Sequence, residues 1–218
     1  MTDLLIGTNN PSKLAWIRQL LQATGVRCVS PGELGLSDIE AEHARTAEGN
    51  AIEKARAWHA ASDLPVLTED SGLVFLSLPE DHSDQPGVMV RRVHGHTMDD
   101  EEMLRWYQAI IRRHGGTLQA AWQDAWCLMK DGDTYKTWTD SWEILAHRAI
   151  TMVDEPCAVR TPGWPLDSLT YYPKLGKYRS ELAKEEIEAV RYETDKAAEQ
   201  DHRAMLRWLH EGIRRYCK

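Results

Sequence analysis

The chain has 218 residues, and its 26 Lys and Arg against 34 Asp and Glu give a formal net charge of −8. That acidic balance excludes a general nucleic-acid binder, because phosphate backbones reward a basic surface. A mean hydropathy of −0.52, with no apolar run near the ~18 residues of a membrane helix, excludes a transmembrane span.

Residues Leu4-Leu5-Ile6 read as a short apolar strand that stops at the turn cluster Gly7-Thr8-Asn9-Asn10-Pro11. No basic segment or long apolar stretch precedes it, so a signal peptide is not expected. From Ser12 the period becomes helical through Leu14, Ile17, Leu20 and Leu21, and ends at Thr24-Gly25. Val26–Val29 is a second strand, which makes a βαβ unit and points to parallel pairing. A second helix is predicted from about Thr46 to Ser62, with Ala47, Ala51, Ala55 and Trp58 on one face. Pro65-Val66-Leu67 enters a strand that Thr68-Glu69-Asp70-Ser71-Gly72 should break, before Leu73–Leu78 resumes extended. Asp81–Gly87 is a polar loop. Met98–Arg113 is a strongly amphipathic helix, acidic in its first turn and basic in its last, as the helix dipole favours. Thr117–Met129 and Thr134–Leu145 are extended and rich in Trp, with the hairpin signal Lys130-Asp131-Gly132-Asp133 between them. Thr161–Pro165 is a loop, and the chain is helical and highly charged from about Glu181. No segment reads as a linker, so residues 1–218 are taken as one two-lobed domain. The cysteines, Cys28, Cys127, Cys157 and Cys217, are scattered without a CxxC pair, which points to reduced thiols and a cytoplasmic setting.

Three segments offer chemistry. Gly7–Lys13 is not a P-loop, because no Gly precedes Lys13 and Leu14 follows it. Small polar residues at a strand-to-helix turn, with Lys13 in the first helical turn, still suit an anion; a plain helix cap with an exposed Lys fits the same residues. Asn50 and Lys54 lie four apart on one helix face, where they could meet one anion or simply face solvent. Glu69-Asp70-Ser71-Gly72 follows a strand and offers oxygen ligands of the kind Mg²⁺ takes beside phosphates, or a polar turn. Three weaker signals stand apart. His94-Gly95-His96 with nearby His82 has alternate spacing suited to a metal but no supporting Cys or carboxylate pattern. Trp122, Trp126, Trp138 and Trp142 fit hairpin packing better than a binding platform. Arg207 and Arg214-Arg215 fit a solvated helix end better than an anion site.

Together, Thr8-Asn9-Asn10-x-x-Lys13, Asn50-Ala51-x-x-Lys54-Ala55, Asp70-Ser71-Gly72-Leu73 and Pro86-Gly87-Val88 with Arg92 resemble the inosine triphosphate pyrophosphatase family, in order and spacing. Gly163-Trp164-Pro165-Leu166-Asp167 stands where that family has a Gly-Phe-Gly-Tyr-Asp base loop, and Asp201-His202-Arg203 where it has Ser-His-Arg. The resemblance implies an α/β fold: a long mixed β-sheet flanked by helices, in two lobes with a central nucleotide cleft. It implies a homodimer, for which the Trp-rich middle is a candidate interface, and a nucleoside triphosphate substrate cut between the α- and β-phosphates with Mg²⁺. Carried over, Thr8, Asn9, Asn10 and Lys13 would cradle phosphates, Asn50 would join them and Lys54 would neutralise them. Asp70 would bind metal and act as base on water, completed by Glu40 or Glu42; Ser71 would touch the triphosphate and Arg92 would face the nucleotide. Trp164 would stack on the base, and Asp167, His202 and Arg203 would read its edge. The departures fall mostly on the base side. Gly49 replaces the family's Glu, Pro165 and Leu166 replace its second Gly and Tyr, Ile187 replaces the Lys after Glu185-Glu186, and about ten extra residues precede His202. The rival readings are a nucleotide sensor without turnover, and the same reaction on another or a modified base.

Overall fold

A computed structural model describes residues 3–39, 41–93 and 95–217. Glu40 and His94 lie outside the described residues. The elements in chain order are β1 (Leu4–Ile6), α1 (Pro11–Leu21), β2 (Cys28–Val29), α2 (Ala47–Ser62), β3 (Val66–Phe75), β4 (Arg92–Val93), β5 (His96–Thr97), α3 (Asp100–Arg113), β6 (Thr117–Met129), β7 (Tyr135–Thr139), α4 (Trp142–His147), β8 (Ile150–Val153), β9 (Thr170–Tyr172), β10 (Lys177–Tyr178), α5 (Lys184–Ala197) and α6 (Glu199–Tyr216). A mixed sheet of eight strands runs β10-β9-β8-β6-β3-β1-β2, with β7 on β6, and β4 pairs with β5 alone. β1 is parallel to both β2 and β3, as the βαβ pattern predicts. The chain divides into two compact units.

The first unit comprises residues up to Ser71, Asp124–Asp140, and Gln200 onward. Its central strands β1, the start of β3 and the end of β6 are buried on both faces, which is why they read as apolar runs. Leu4, Ile6, Leu67, Trp126 and Leu128 pack on one face with Ile17 of α1 and Leu209 and Ile213 of α6. Leu5, Val66, Cys127 and Met129 pack on the other with Ala51, Ala55 and Trp58 of α2. Alternate residues of one strand thus serve opposite layers. Trp126 packs on Trp16, and Trp138 on Trp208, so the tryptophans of the hairpin are spent largely on internal packing in this unit.

The second unit comprises Gly72–Gln123 and Ser141–Glu199. Met103, Leu104, Tyr107, Ile110 and Ile111 of α3 pack on Leu73, Phe75, Leu118, Ala120 and Met152 from the strands and on Leu166 and Leu169. Asp99 and Glu102 form a capping box at the start of α3, so the helix begins at Asp100 and not at Met98.

Two expectations are corrected. β3 is unbroken through Thr68–Gly72, because a strand between two neighbours needs only backbone groups for its ladder, while the polar side chains find partners of their own. The extended run from Thr134 stops at Thr139, and Ser141 caps a short helix that takes Trp142 and Leu145. The C-terminal helical region is two helices that meet at Ala198.

Candidate active site

Glu69 and Asp70 are adjacent on β3, so their side chains point to opposite faces of the strand. On the α1 face, Lys13 Nζ lies 2.5 Å from Glu69 Oε2. On the α2 face, Lys54 Nζ lies 2.9 Å from Asp70 Oδ1 and 3.2 Å from Glu42 Oε1. Lys54 Nζ also donates to the Glu69 carbonyl at 2.8 Å, which ties its ammonium to the strand. Asn50, one turn before Lys54 on the same helix face, donates Nδ2–H to Asp70 Oδ2 at 2.9 Å. The Asp70 carboxylate is therefore fixed at both oxygens. Burial by itself would lower the Lys13 pKa, but Glu69 first, and then Asp70 and Asp124, outweigh it, so the ammonium is held above its ordinary value of 10.5.

Asn50 is 4% exposed, and among the described residues its Oδ1 accepts no hydrogen bond. A buried carbonyl oxygen left this way is costly unless something else donates to it or binds it. Asp70 and Glu42 converge on one ammonium, and the Asn50 carboxamide that carries Oδ1 is bonded to Asp70. This is an oxygen-only donor set of the kind Mg²⁺ takes, so the residues fit such an ion.

The turn after β1 is built for a helix start. Asn10 Oδ1 accepts from Ser12 N at 2.9 Å and Lys13 N at 3.3 Å, and Pro11 opens the first turn. Thr8 Oγ1 accepts from Asn10 N, and Asn9 Nδ2 donates to Asp38 Oδ1. The Asn10 carboxamide thus caps α1 rather than reaching outward. Gly7 has a packing reason: a Cβ there would lie 2.6 Å from the Trp58 ring.

The second unit contains a cavity of about 410 Å³. Its apolar wall includes Leu73, Val90, Met103, Ile150, Met152 and Leu166, with Trp122 and Trp164 among the lining residues. Trp164 is 65% exposed and Trp122 41%, so both indoles keep free surface. The loop before Trp164 is pinned at Gly163, whose N–H donates to Asp100 Oδ2 at 2.7 Å and whose carbonyl accepts from Arg91 at 3.1 Å. Arg91 also pairs with Asp100 at 2.7 Å. The Gly163 N–H first, and Arg91 second, hold the Asp100 carboxyl below its ordinary range. Gly163 has φ +83°, a left-handed conformation that suits Gly. Asp167 pairs with Arg179 at 3.2 Å, and Arg179 donates to the Tyr172 hydroxyl. Burial raises the Asp167 pKa, against the pull of Arg179.

The structure thus brings Lys13, Asn50, Lys54, Asp70 and Glu42 together in the first unit, and Trp164 and Asp167 in the second. Ser71 follows Asp70 on β3, half-buried. His202 and Arg203 are exposed on α6 in the first unit. Arg92 is exposed on β4, and the arginine that lines the cavity at that point is Arg91. Sequence reasoning gave no role to Arg91, Tyr172 or Arg179, and grouped Glu69 with Asp70 as an oxygen ligand for Mg²⁺ rather than as the partner of Lys13. The paired acids of Glu69-Asp70 were the one available signal; the other three depend on loop paths. The departure at Gly49, with Glu48 before it, also acquires a local account. Glu48 accepts from the Thr137 hydroxyl, and a Cβ at Gly49 would lie 2.5 Å from that of Ala44, so neither position offers an outward carboxylate.

The model of the Ham1 family matches residues 4–192. The chain is 32% identical over 193 residues to the dITP/XTP pyrophosphatase of Nitrosomonas europaea, covering 85% of this chain and 86% of that one. It is 29% identical to the dITP/XTP pyrophosphatase of Yersinia pseudotuberculosis, with 87% and 91% covered. Its fold is similar to that of a HAM1 protein from Coxiella burnetii, with a TM-score of 0.65 at 24% identity over 94% of this chain and 98% of that one.

Proposed function

The chain belongs to the Ham1 family, and from that premise we propose that it is a nucleoside triphosphate pyrophosphatase that cleaves a non-canonical nucleotide to its monophosphate and pyrophosphate. The observation that carries this reading is the pair of lysine–carboxylate contacts on the two faces of β3, with Asn50 fixing Asp70.

Cleavage of a phosphoanhydride needs cations on the leaving pyrophosphate and a positioned water. Lys13 and Lys54 supply the cations, each already oriented by a carboxylate that a polyphosphate would share or displace. Asp70 accepts the proton of the attacking water; its orientation is set by Asn50 and Lys54 before substrate arrives, which is the preorganisation that general-base catalysis requires. Asp70 and Glu42, with Asn50 Oδ1 nearby, would hold Mg²⁺, which when bound neutralises phosphate charge and acidifies bound water. Thr8, Asn9 and Ser71 line the phosphate path.

The cavity of the second unit supports stacking of the base on Trp164, with Asp167 at its edge. A specific observation favours a base preference of the chain's own. Leu166 puts an aliphatic side chain on the cavity wall, and the polar groups beside Asp167 are Arg179 and Tyr172. A site that hydrogen-bonds its substrate rejects the analogue that leaves those groups unpaired. A cytoplasmic homodimer completes the reading, and sedimentation of the purified chain tests that part.

The deciding experiment is a panel of canonical and deaminated nucleoside triphosphates with Mg²⁺, scored for pyrophosphate against orthophosphate. Pyrophosphate from one substrate class establishes both reaction and preference. Tight binding with no product from any of them replaces the enzyme with a sensor.

A further inference from the structure

The second unit contains a group of ionisable side chains that the proposed reaction does not use. His82 and Asp84 stand in the polar loop before Gly87, and His114 is the residue that closes α3. One ligand atom from each of the three lies within 4.8 Å of the other two. His114 Nε2 and Asp84 Oδ2 are 2.9 Å apart. The rings of His82 and His114 pack edge to face with centroids 5.1 Å apart, and the Asp84 backbone N–H donates to His82 Nδ1 at 3.1 Å, which keeps the His82 ring beside the carboxylate. Arg113 takes the other carboxylate oxygen, Oδ1, at 2.8 Å. It thereby fixes the rotamer that turns Oδ2 toward His114, as an outer partner of a metal ligand does.

The geometry points to a transition-metal site of the Zn²⁺ class, held by His82, Asp84 and His114 and separate in composition from the oxygen-donor set around Asp70. Two imidazoles and one carboxylate are borderline ligands that prefer Zn²⁺, Co²⁺ or Ni²⁺ to Mg²⁺. Tetrahedral bonds of about 2.0–2.1 Å place ligand atoms roughly 3.3 Å apart, so the 2.9 Å between His114 and Asp84 needs to open only slightly, while the His82 ring swings inward and its Nδ1 lone pair exchanges the Asp84 N–H for the metal. The ion takes the place of the proton between Nε2 and Oδ2, and that proton moves to Nδ1 or to solvent. Three protein ligands leave a fourth position for water. The bound ion would tie the His82–Asp84 loop to the end of α3. His96 of the His94-Gly95-His96 pattern instead contacts Glu102 at 3.0 Å.

The test is a titration of the full chain with Co²⁺ in excess Mg²⁺, followed by visible absorption, and with Zn²⁺ by calorimetry. One equivalent is expected, with a tetrahedral d–d spectrum, no thiolate charge-transfer band, and a higher Tm in Zn²⁺. His82→Gln and His114→Gln should each weaken binding about 100-fold or more, and Arg113→Met about tenfold, as a lost outer partner does. All three variants should keep the far-ultraviolet circular dichroism and the Mg²⁺-dependent pyrophosphatase activity. Absence of a stoichiometric complex at micromolar metal overturns the site. So does a cobalt spectrum that survives both His variants, or one that carries a thiolate band. None of these outcomes depends on turnover, so they are separable from a failure of the pyrophosphatase reading.

Discussion

In the first unit most of the polar site side chains stand on regular elements: Lys13 on α1, Asn50 and Lys54 on α2, Glu69 and Asp70 on β3, while Glu42 comes from the loop before α2. In the second unit the candidate base-binding side chains stand on or beside loops and short 3₁₀ turns: Trp164 and Asp167 at Pro165–Ser168, Arg179 at Arg179–Glu181. Helical and strand periods fix which way a side chain on a regular element points. Trp164 has no such period, and its place rests on Gly163 being clamped by Asp100 and Arg91. The departures from the family pattern collect in the second region. A reaction common to many substrates can be kept on rigid elements while the loops that choose the base are rebuilt.

Four experiments break or sharpen that contrast. Asp70→Asn keeps the contacts to Lys54 and Asn50 in outline but removes the proton acceptor. Steady-state kcat should fall by about 10²–10⁴ with an unchanged circular dichroism spectrum, and a near-normal rate would take Asp70 out of the mechanism. Trp164→Ala removes a stacking face on a half-open loop. KM should rise about tenfold, the lower part of the range for base–aromatic stacking, with little change in Tm; an unchanged KM denies the contact. Arg179→Met should alter the ranking of bases by roughly tenfold in kcat/KM while leaving the best substrate's kcat within a few-fold, and an unaltered ranking places base selection elsewhere.

The smallest effect concerns pH. The Lys13 ammonium is held above 10.5 in the folded chain, so the stability that its pair with Glu69 contributes is complete below the unfolded value. It is lost as pH rises through the folded one. Urea midpoints measured from pH 9 to 11.5 should therefore fall more steeply for the native chain than for Lys13→Met. Parallel curves would show that the pair adds nothing. Lys13→Met should also be less stable at neutral pH, because it leaves Glu69, 8% exposed, without its counter-charge.

Much of the first unit was legible from residue order. The apolar run Leu4-Leu5-Ile6, the Gly25 stop and the i,i+4 pair Asn50–Lys54 each lead to what the structure shows. Thr68–Gly72 has the polar composition of a turn, yet β3 continues through it and uses those side chains to meet α1 and α2. Tyr172 and Arg179 had no local signal, because what makes them neighbours of Asp167 is the path of β9, β10 and the turns around them. The metal-ligand group His82, Asp84 and His114 spans thirty-two positions and escaped notice for the same reason.

The residue order alone determined the parallel βαβ start, the helix faces and the kinds of group available for phosphate and metal, because these depend on periods and caps that act over a few residues. Tertiary structure decided which acid meets which lysine, that Asn50 has a buried oxygen still to be satisfied, and which side chains gather around the cavity of the second unit. Those outcomes come from bringing distant segments into contact, where burial and charge pairing act through space and leave no trace in local spacing.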